Sequence, residues 1–175
     1  MAFSTEYLRK PKVIGAVAPS SCFLAKTMLK KVDFANARTI VELGAGTGVI
    51  TKEILKRAHV DAQVIAFEIH RPFVRMLNEM QHPQLKLVAK PAQQLAKHVS
   101  KADVVISSLP LMSFTEKDVT AIITQVKKAL RPGGQFVQFQ YGLKSYAMLK
   151  KEFSKVRLGF TLLNIPPAFV YRCRK

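Results

Sequence analysis

Acidic residues are scarce in this chain: its 175 residues hold 11 Asp and Glu against 28 Lys and Arg, a net charge of +17 at pH 7. That is more positive charge than solubility needs. It points to a polyanionic partner, nucleic acid or an anionic membrane leaflet, since both are arrays of phosphate; the plainer alternative is a solvated basic face. Cysteine is nearly missing, and Cys22 and Cys173 have neither metal-ligand nor redox spacing, so both are expected as ordinary buried or edge residues in a reducing cytoplasm. His59, His70, His82 and His98 show no zinc-type pairing, and no metal is expected. No apolar run nears the ~20 residues of a membrane span, and Met1-Ala2-Phe3-Ser4-Thr5-Glu6 lacks the basic start and apolar segment of a signal peptide. Internal repeats and low-complexity linkers are also missing. What is present, 49% hydrophobic and 22% charged residues, suits one soluble domain over 1–175.

The chain is organised around Thr39-Ile40-Val41-Glu42-Leu43-Gly44-Ala45-Gly46-Thr47-Gly48-Val49-Ile50. A β-branched run ends in an acid, glycines follow at every second position, and a helical pattern opens at Val49: strand, tight turn, helix. Such a turn lets a ligand lie against bare peptide N–H groups, with a helix N-terminus behind it that favours a carboxylate or phosphate. The dinucleotide fingerprint spaces its glycines G-x-G-x-x-G, whereas here they run G-x-G-x-G. With Glu42 two residues before Gly44, the stretch resembles motif I of Rossmann-like S-adenosylmethionine-dependent methyltransferases; the plainer alternative is an ordinary strand-to-helix turn. A second strand, 64–67, ends in Glu68, where a βαβ unit presents an acid to both hydroxyls of a ribose.

In chain order, residues 1–12 suit a short helix with Phe3, Tyr7 and Leu8 on one side and Arg9 and Lys10 on another, with Lys12 just beyond Pro11. That pattern fits a membrane surface, or else a terminus packed on the domain. Residues 1–32 are thus expected as a membrane or lid segment. Ser20 or Ser21 caps a helix reaching about 32, and both serines are placed to close over the methionine end of the cofactor. Ile50, Ile54, Leu55 and Ala58 mark the next helix. Phe73, Met76, Leu77 and Met80 are expected as the core face of a helix opening at Arg71-Pro72. Strands follow over 85–89 and 103–107, with a brief helix through 99 between them. A helix capped at Thr115 carries Ile122, Ile123 and Val126 inward and ends at Arg131-Pro132-Gly133-Gly134; then come a strand over 135–140, a helix over 143–153 and a closing hairpin, 155–163 and 168–174. This alternation implies an α/β fold: a mostly parallel sheet of the seven-stranded methyltransferase kind, with helices on both faces and one antiparallel strand near the edge. Ligands in such sheets bind beyond the carboxyl ends of the strands.

The segments Gly15-Ala16-Val17-Ala18-Pro19-Ser20-Ser21, Ser107-Ser108-Leu109-Pro110-Leu111, Phe139-Gln140-Tyr141-Gly142 and Asn164-Ile165-Pro166-Pro167-Ala168-Phe169, together with the glycine loop, resemble the bacterial phospholipid N-methyltransferases from about Arg9 onward. The resemblance implies stepwise methylation of phosphatidylethanolamine to phosphatidylcholine by a peripheral enzyme on the cytoplasmic membrane face. Its cofactor would be S-adenosyl-L-methionine, leaving S-adenosyl-L-homocysteine, with no protein partner. Cofactor contacts are expected from Glu42, Gly44, Ala45, Gly46, Gly48, Glu68, Ile69 and Ser107, joined by Ser20 and Ser21. Relatives often carry Gly-Asp-Ala after the third strand where this chain has Lys90-Pro91-Ala92, so adenine recognition falls to backbone groups around Ala92 and Gln93. No dedicated carboxylate base is visible; Tyr141, Ser107 and Ser108 are expected to orient the amine. The membrane contact is assigned to Phe3, Tyr7, Leu8, Arg9, Lys10 and Lys12. A competing reading is a ribosomal RNA adenine N6-methyltransferase, but such enzymes carry an Asn/Asp-Pro-Pro/Leu-Pro-aromatic site, and Ser107-Ser108-Leu109-Pro110-Leu111 lacks both the acceptor amide and the stacking ring. A third is a basic membrane- or nucleic-acid-binding module that does not turn over.

Overall fold

A computed structural model describes the backbone of residues 20–161 and 166–175 and the side chains from residue 23 on. Seven strands form one sheet: β1 (Thr39–Leu43), β2 (Gln63–Phe67), β3 (Leu85–Val88), β4 (Ala102–Ser107), β5 (Leu130–Gln140), β6 (Lys155–Thr161) and β7 (Ala168–Arg174), in the spatial order β3-β2-β1-β4-β5-β7-β6. The pairs from β3 through β5 are parallel, and β7 runs antiparallel to both β5 and β6. The one reversed strand therefore stands next to the edge, as the sequence pattern implies.

The continuous apolar runs of β1, β2 and β4 follow from cover on both faces. Successive side chains alternate between two cores. Val41, Leu43, Ile65, Phe67 and Val105 pack beneath α4 (Leu95–His98), α5 (Glu116–Ala129) and α6 (Tyr146–Glu152). Ile40, Val64, Val104, Ile106 and Val137 pack beneath α1 (Ser20–Leu29) and α2 (Val49–Leu55). Thr115 caps α5, its Oγ1 accepting the Asp118 N–H at 3.2 Å. At the amino end of the sheet Asp103 clasps three strands, accepting from Arg38 N (2.8 Å), Thr39 N (2.9 Å) and Arg131 Nε (2.6 Å).

Four expectations need correction. Arg131-Pro132-Gly133-Gly134 does not separate helix from strand: β5 begins at Leu130 and runs through it, with a register shift opposite Ala102 and Val104. Pro132 has no N–H for a ladder, and such an irregularity is where a strand tolerates it. The helix expected over 143–153 is the shorter α6, and α1 stops at Leu29. Of the four residues expected on the core face of α3 (Arg71–Asn78), only Leu77 is buried while Met76 is exposed, because this helix covers only the β2–β3 end of the sheet.

Strands leave β1 in opposite directions, through β2 to β3 on one side and β4 to β5 on the other. The crevice beyond the carboxyl ends of β1 and β4 is thus the topological switch point, where open α/β sheets bind ligands.

Candidate active site

The glycine loop leaves β1 with Gly44 at φ 75°, Gly46 at 54° and Gly48 at 81°. Its first two N–H groups, Gly44 and Ala45, both donate to Phe67 O at the end of β2 (2.9 and 3.1 Å). The third belongs to the acid of that strand, with Gly46 N donating to Glu68 Oε2 at 2.8 Å. Glu68 Oε1 accepts from Ile69 N and His70 N, both at 2.8 Å. Three of the roughly four acceptor positions of this carboxylate are thus engaged by backbone, and Glu68 braces the loop.

Glu42 is fully buried and bonded elsewhere: its Oε2 accepts the Thr51 hydroxyl at 2.6 Å, while its Oε1 has no partner. Burial pushes its carboxyl up to about 8, against the pull of the Thr51 hydrogen bond and with a small push from Glu68.

Beyond β4, Ser108 N donates to Leu43 O (2.9 Å), tying this loop to the end of β1. Leu109 lies over Gly44, where an added Cβ would meet Leu109 Cδ2 at 2.8 Å. Ser107 is buried with its Oγ accepting Leu109 N at 3.3 Å, whereas the buried Ser108 Oγ has no partner. The loop is held from β5, whose Gln138 Nε2 donates to Leu109 O (2.8 Å) and Phe139 O (2.7 Å), leaving Oε1 free. Tyr141, 43% exposed, stands edge-on to Phe139 at 5.5 Å. Its turn is fixed by the buried Tyr171, whose hydroxyl donates to Gly142 O at 2.8 Å.

Buried polar atoms are normally paired. Among the described residues five side-chain atoms are not, and four of them, on Glu42, His70, Ser108 and Gln138, lie at or just past the carboxyl ends of β1, β2, β4 and β5. The fifth, Arg172 Nε, is on β7. The crevice thus concentrates unmet hydrogen-bonding capacity, as a polar ligand site does.

The structure brings Glu42, Gly44, Ala45, Gly46, Gly48, Glu68, Ser107 and Ser108 to this one end of the sheet. Ile69, half exposed, follows Glu68. Ala92, buried, and Gln93, half-buried, begin the 3-10 turn after β3. The side chains of Ser20 and Ser21, and all of Phe3, Tyr7, Leu8, Arg9, Lys10 and Lys12, lie outside the described residues. Sequence reasoning passed over Thr51, His70 and Gln138. For Gln138 there was a signal, an amide in an otherwise apolar central strand.

The profile of the methyltransferase domain matches residues 40–134, and with the sheet order and the glycine loop this places the chain in the class I S-adenosylmethionine-dependent methyltransferase family. An ornithine lipid N-methyltransferase of Singulisphaera acidiphila is 34% identical over 98% of this chain and 94% of its own length. Ribosomal RNA small subunit methyltransferase A of Thermotoga neapolitana is 30% identical over 83% of this chain, which spans 59% of that protein. In fold, the chain is similar to the 1,6-didemethyltoxoflavin-N1-methyltransferase of Burkholderia thailandensis, solved with its substrate and S-adenosylhomocysteine: TM-score 0.77, 17% identity, 100% of this chain and 91% of that one.

The crevice fits the family's cofactor. A Cβ built on Gly46 meets nothing within 4 Å, so the loop faces open space there, while one on Gly48 would overlap Met80 Cε and approach Leu77 Cδ2 at 3.0 Å. The middle glycine borders the ligand space and the last one packs against the protein. The partnerless Glu42 Oε1 supplies a buried acceptor for an ammonium, and exposed Ile69 an apolar face for a base.

Proposed function

We propose that this protein N-methylates the headgroup amine of a membrane lipid, with phosphatidylethanolamine carried stepwise to phosphatidylcholine as the leading substrate. The observation that carries a lipid over RNA is the β4 loop: Ser107-Ser108-Leu109-Pro110-Leu111 offers no amide acceptor and no stacking ring for a base, and the half-exposed Met112 follows it. The Singulisphaera relative, matched over almost its whole length, favours a second substrate of the same class, ornithine lipid.

S-adenosylmethionine, when bound, supplies a methyl group activated on a sulfonium. Glu42 would take its methionine amine, with Ser20, Ser21 and Ser107 near that end. Glu68 would take the ribose hydroxyls with its remaining acceptor capacity, and Ile69, Ala92 and Gln93 the adenine. Gly44, Ala45, Gly46 and Gly48 let the chain pass close beneath.

The remaining task is positioning. A neutral amine must point its lone pair at the methyl carbon and later lose a proton, and orientation of this kind lowers barriers by several kcal/mol. Ser108 Oγ and Gln138 Oε1, both without partners, are acceptors for the amine N–H groups. Tyr141, just past the end of β5, would orient the amine together with them. The N-terminal segment, with Phe3, Tyr7, Leu8, Arg9, Lys10 and Lys12, is assigned to the membrane surface.

The deciding experiment offers radiolabelled S-adenosylmethionine with phosphatidylethanolamine, its monomethyl form, ornithine lipid and ribosomal RNA separately. Label in either lipid class supports the reading and selects the substrate; label in RNA alone overturns it.

A further inference from the structure

Nine large apolar residues are exposed among those described: Phe23, Val60, Ile69, Met76, Met112, Tyr141, Leu143, Leu158 and Phe160. Five of these, from Met112 onward, gather in one quarter of the molecule. Phe160 pairs with Phe169, ring centroids 4.9 Å apart, and Phe169 pairs in turn with Gln140, next to Tyr141. Leu158 pairs with Tyr171, whose hydroxyl reaches Gly142 O beside Leu143. Met112 lies against Gly142, its sulfur 3.4 Å from where a Cβ would be. At about 4.8 Å per strand, the apolar part of edge strand β6 is only about 10 Å from Tyr141.

The other face of the same edge is cationic. Lys155 pairs with Arg174 and Arg157 with Arg172, and with Lys31 after α1 they line a cleft of about 230 Å³ that has no carboxylate in its wall. Arg172 is locked in place: its Nη2 donates to Thr27 O at 2.6 Å and its guanidinium lies over Gly159. The nearby acid is Asp33, fully exposed and influenced by Arg174. Strand β6 therefore runs, in about 20 Å, from exposed Lys155 and Arg157 at the cleft to exposed Leu158 and Phe160 near the active-site rim.

We infer that the β6–β7 edge is a lipid-contact surface, with the basic cleft holding the phosphates of anionic lipids and Leu158 and Phe160 dipping into the bilayer beside the mouth of the crevice. This rests on the lipid-substrate reading and adds an orientation to it. Shallow apolar insertion next to basic charge is what interfacial binding requires. A sheet standing on its edge brings both the cleft and the rim to one plane. An unpaired strand edge also gains from side chains that keep other strands away, and Lys155 and Arg157 do so.

The chain contains no tryptophan, so a single introduced indole reports its own surroundings. F160W is mixed with vesicles of phosphatidylethanolamine and phosphatidylglycerol, with V60W as the control, since Val60 is 79% exposed and precedes β2 at the opposite end of the sheet. The expected result is a blue shift and quenching by brominated lipid in F160W but not in V60W. In flotation, K155E/R157E should lose tenfold or more in vesicle affinity while its S-adenosylmethionine affinity, read by calorimetry, stays that of the parent. Absence of vesicle binding by the parent protein, an unshifted F160W, or normal flotation of K155E/R157E overturns the inference. So does a K155E/R157E variant that loses ribosomal RNA binding and keeps vesicle binding. A parent protein that shows the vesicle signals yet methylates no lipid overturns the substrate reading instead, and leaves this surface standing.

Discussion

Glu68 holds Gly46: the carboxylate that ends β2 accepts, at 2.8 Å, the N–H of the middle glycine of the loop that ends β1. The brace crosses from one strand end to the next at the point where the cofactor is expected. Glu68→Gln replaces an acceptor oxygen by an amide that cannot serve all three backbone donors, leaving a buried N–H unpaired at about 1–3 kcal/mol. Urea denaturation should show a stability loss of that order, and calorimetry at least a tenfold loss in S-adenosylmethionine affinity.

Gly46 and Gly48 should separate ligand binding from packing. Gly46→Ala carries only the cost of a left-handed residue, about 1–2 kcal/mol, because its Cβ has open space; its larger effect should be on cofactor affinity. Gly48→Ala adds overlap with Met80 and Leu77, and overpacking of this kind costs about 1–3 kcal/mol more. Thermal melts without cofactor should therefore rank Gly48→Ala as the less stable, and calorimetry should find Gly46→Ala impaired at a temperature where it is fully folded.

The buried Glu42 carboxyl, raised to about 8, makes stability pH-dependent. Between the ordinary glutamate value of 4.5 and about 8 the folded state keeps a proton that the unfolded state has released, so stability falls as pH rises through that window, with a limiting slope of about 1.4 kcal/mol per pH unit. Below the window this contribution is constant. Glu42→Gln should flatten the curve. An ammonium seated against Glu42 favours the carboxylate, so cofactor binding near pH 7 should release protons in the parent protein and none in Glu42→Gln, measurable by calorimetry in buffers of different ionisation enthalpy.

Tyr141→Phe should reduce kcat for a lipid amine several-fold or more while S-adenosylmethionine affinity stays within about twofold. A loss of cofactor affinity without a loss of turnover would make Tyr141 a packing residue, which its edge-on contact with Phe139 also permits.

Local pattern determined much of this protein. The continuous apolar runs of the central strands, the period-3.6 repeats of the helices, the glycines after Leu43, the cap at Thr115 and the acids that end β1 and β2 were legible because each depends on neighbours a few residues away. They were enough for a mostly parallel α/β sheet, one reversed strand near its edge, and a cofactor crevice beyond the strand ends. Tertiary structure alone decided what depends on partners distant in the chain. Glu68 braces the loop because β2 pairs beside β1 and brings its carboxylate across 22 residues to Gly46. Gln138 is drawn to the β4 loop because Leu109, 29 residues earlier, presents its carbonyl there. Arg131-Pro132-Gly133-Gly134 has turn chemistry yet lies in a strand, since β4 beside it shifts register to receive it. The basic cleft exists only because β7 sits between β5 and β6, aligning Arg172 and Arg174 with Arg157 and Lys155. Strand pairing fixes such contacts through hydrogen bonds between segments far apart in the chain, and a one-dimensional pattern does not carry that register.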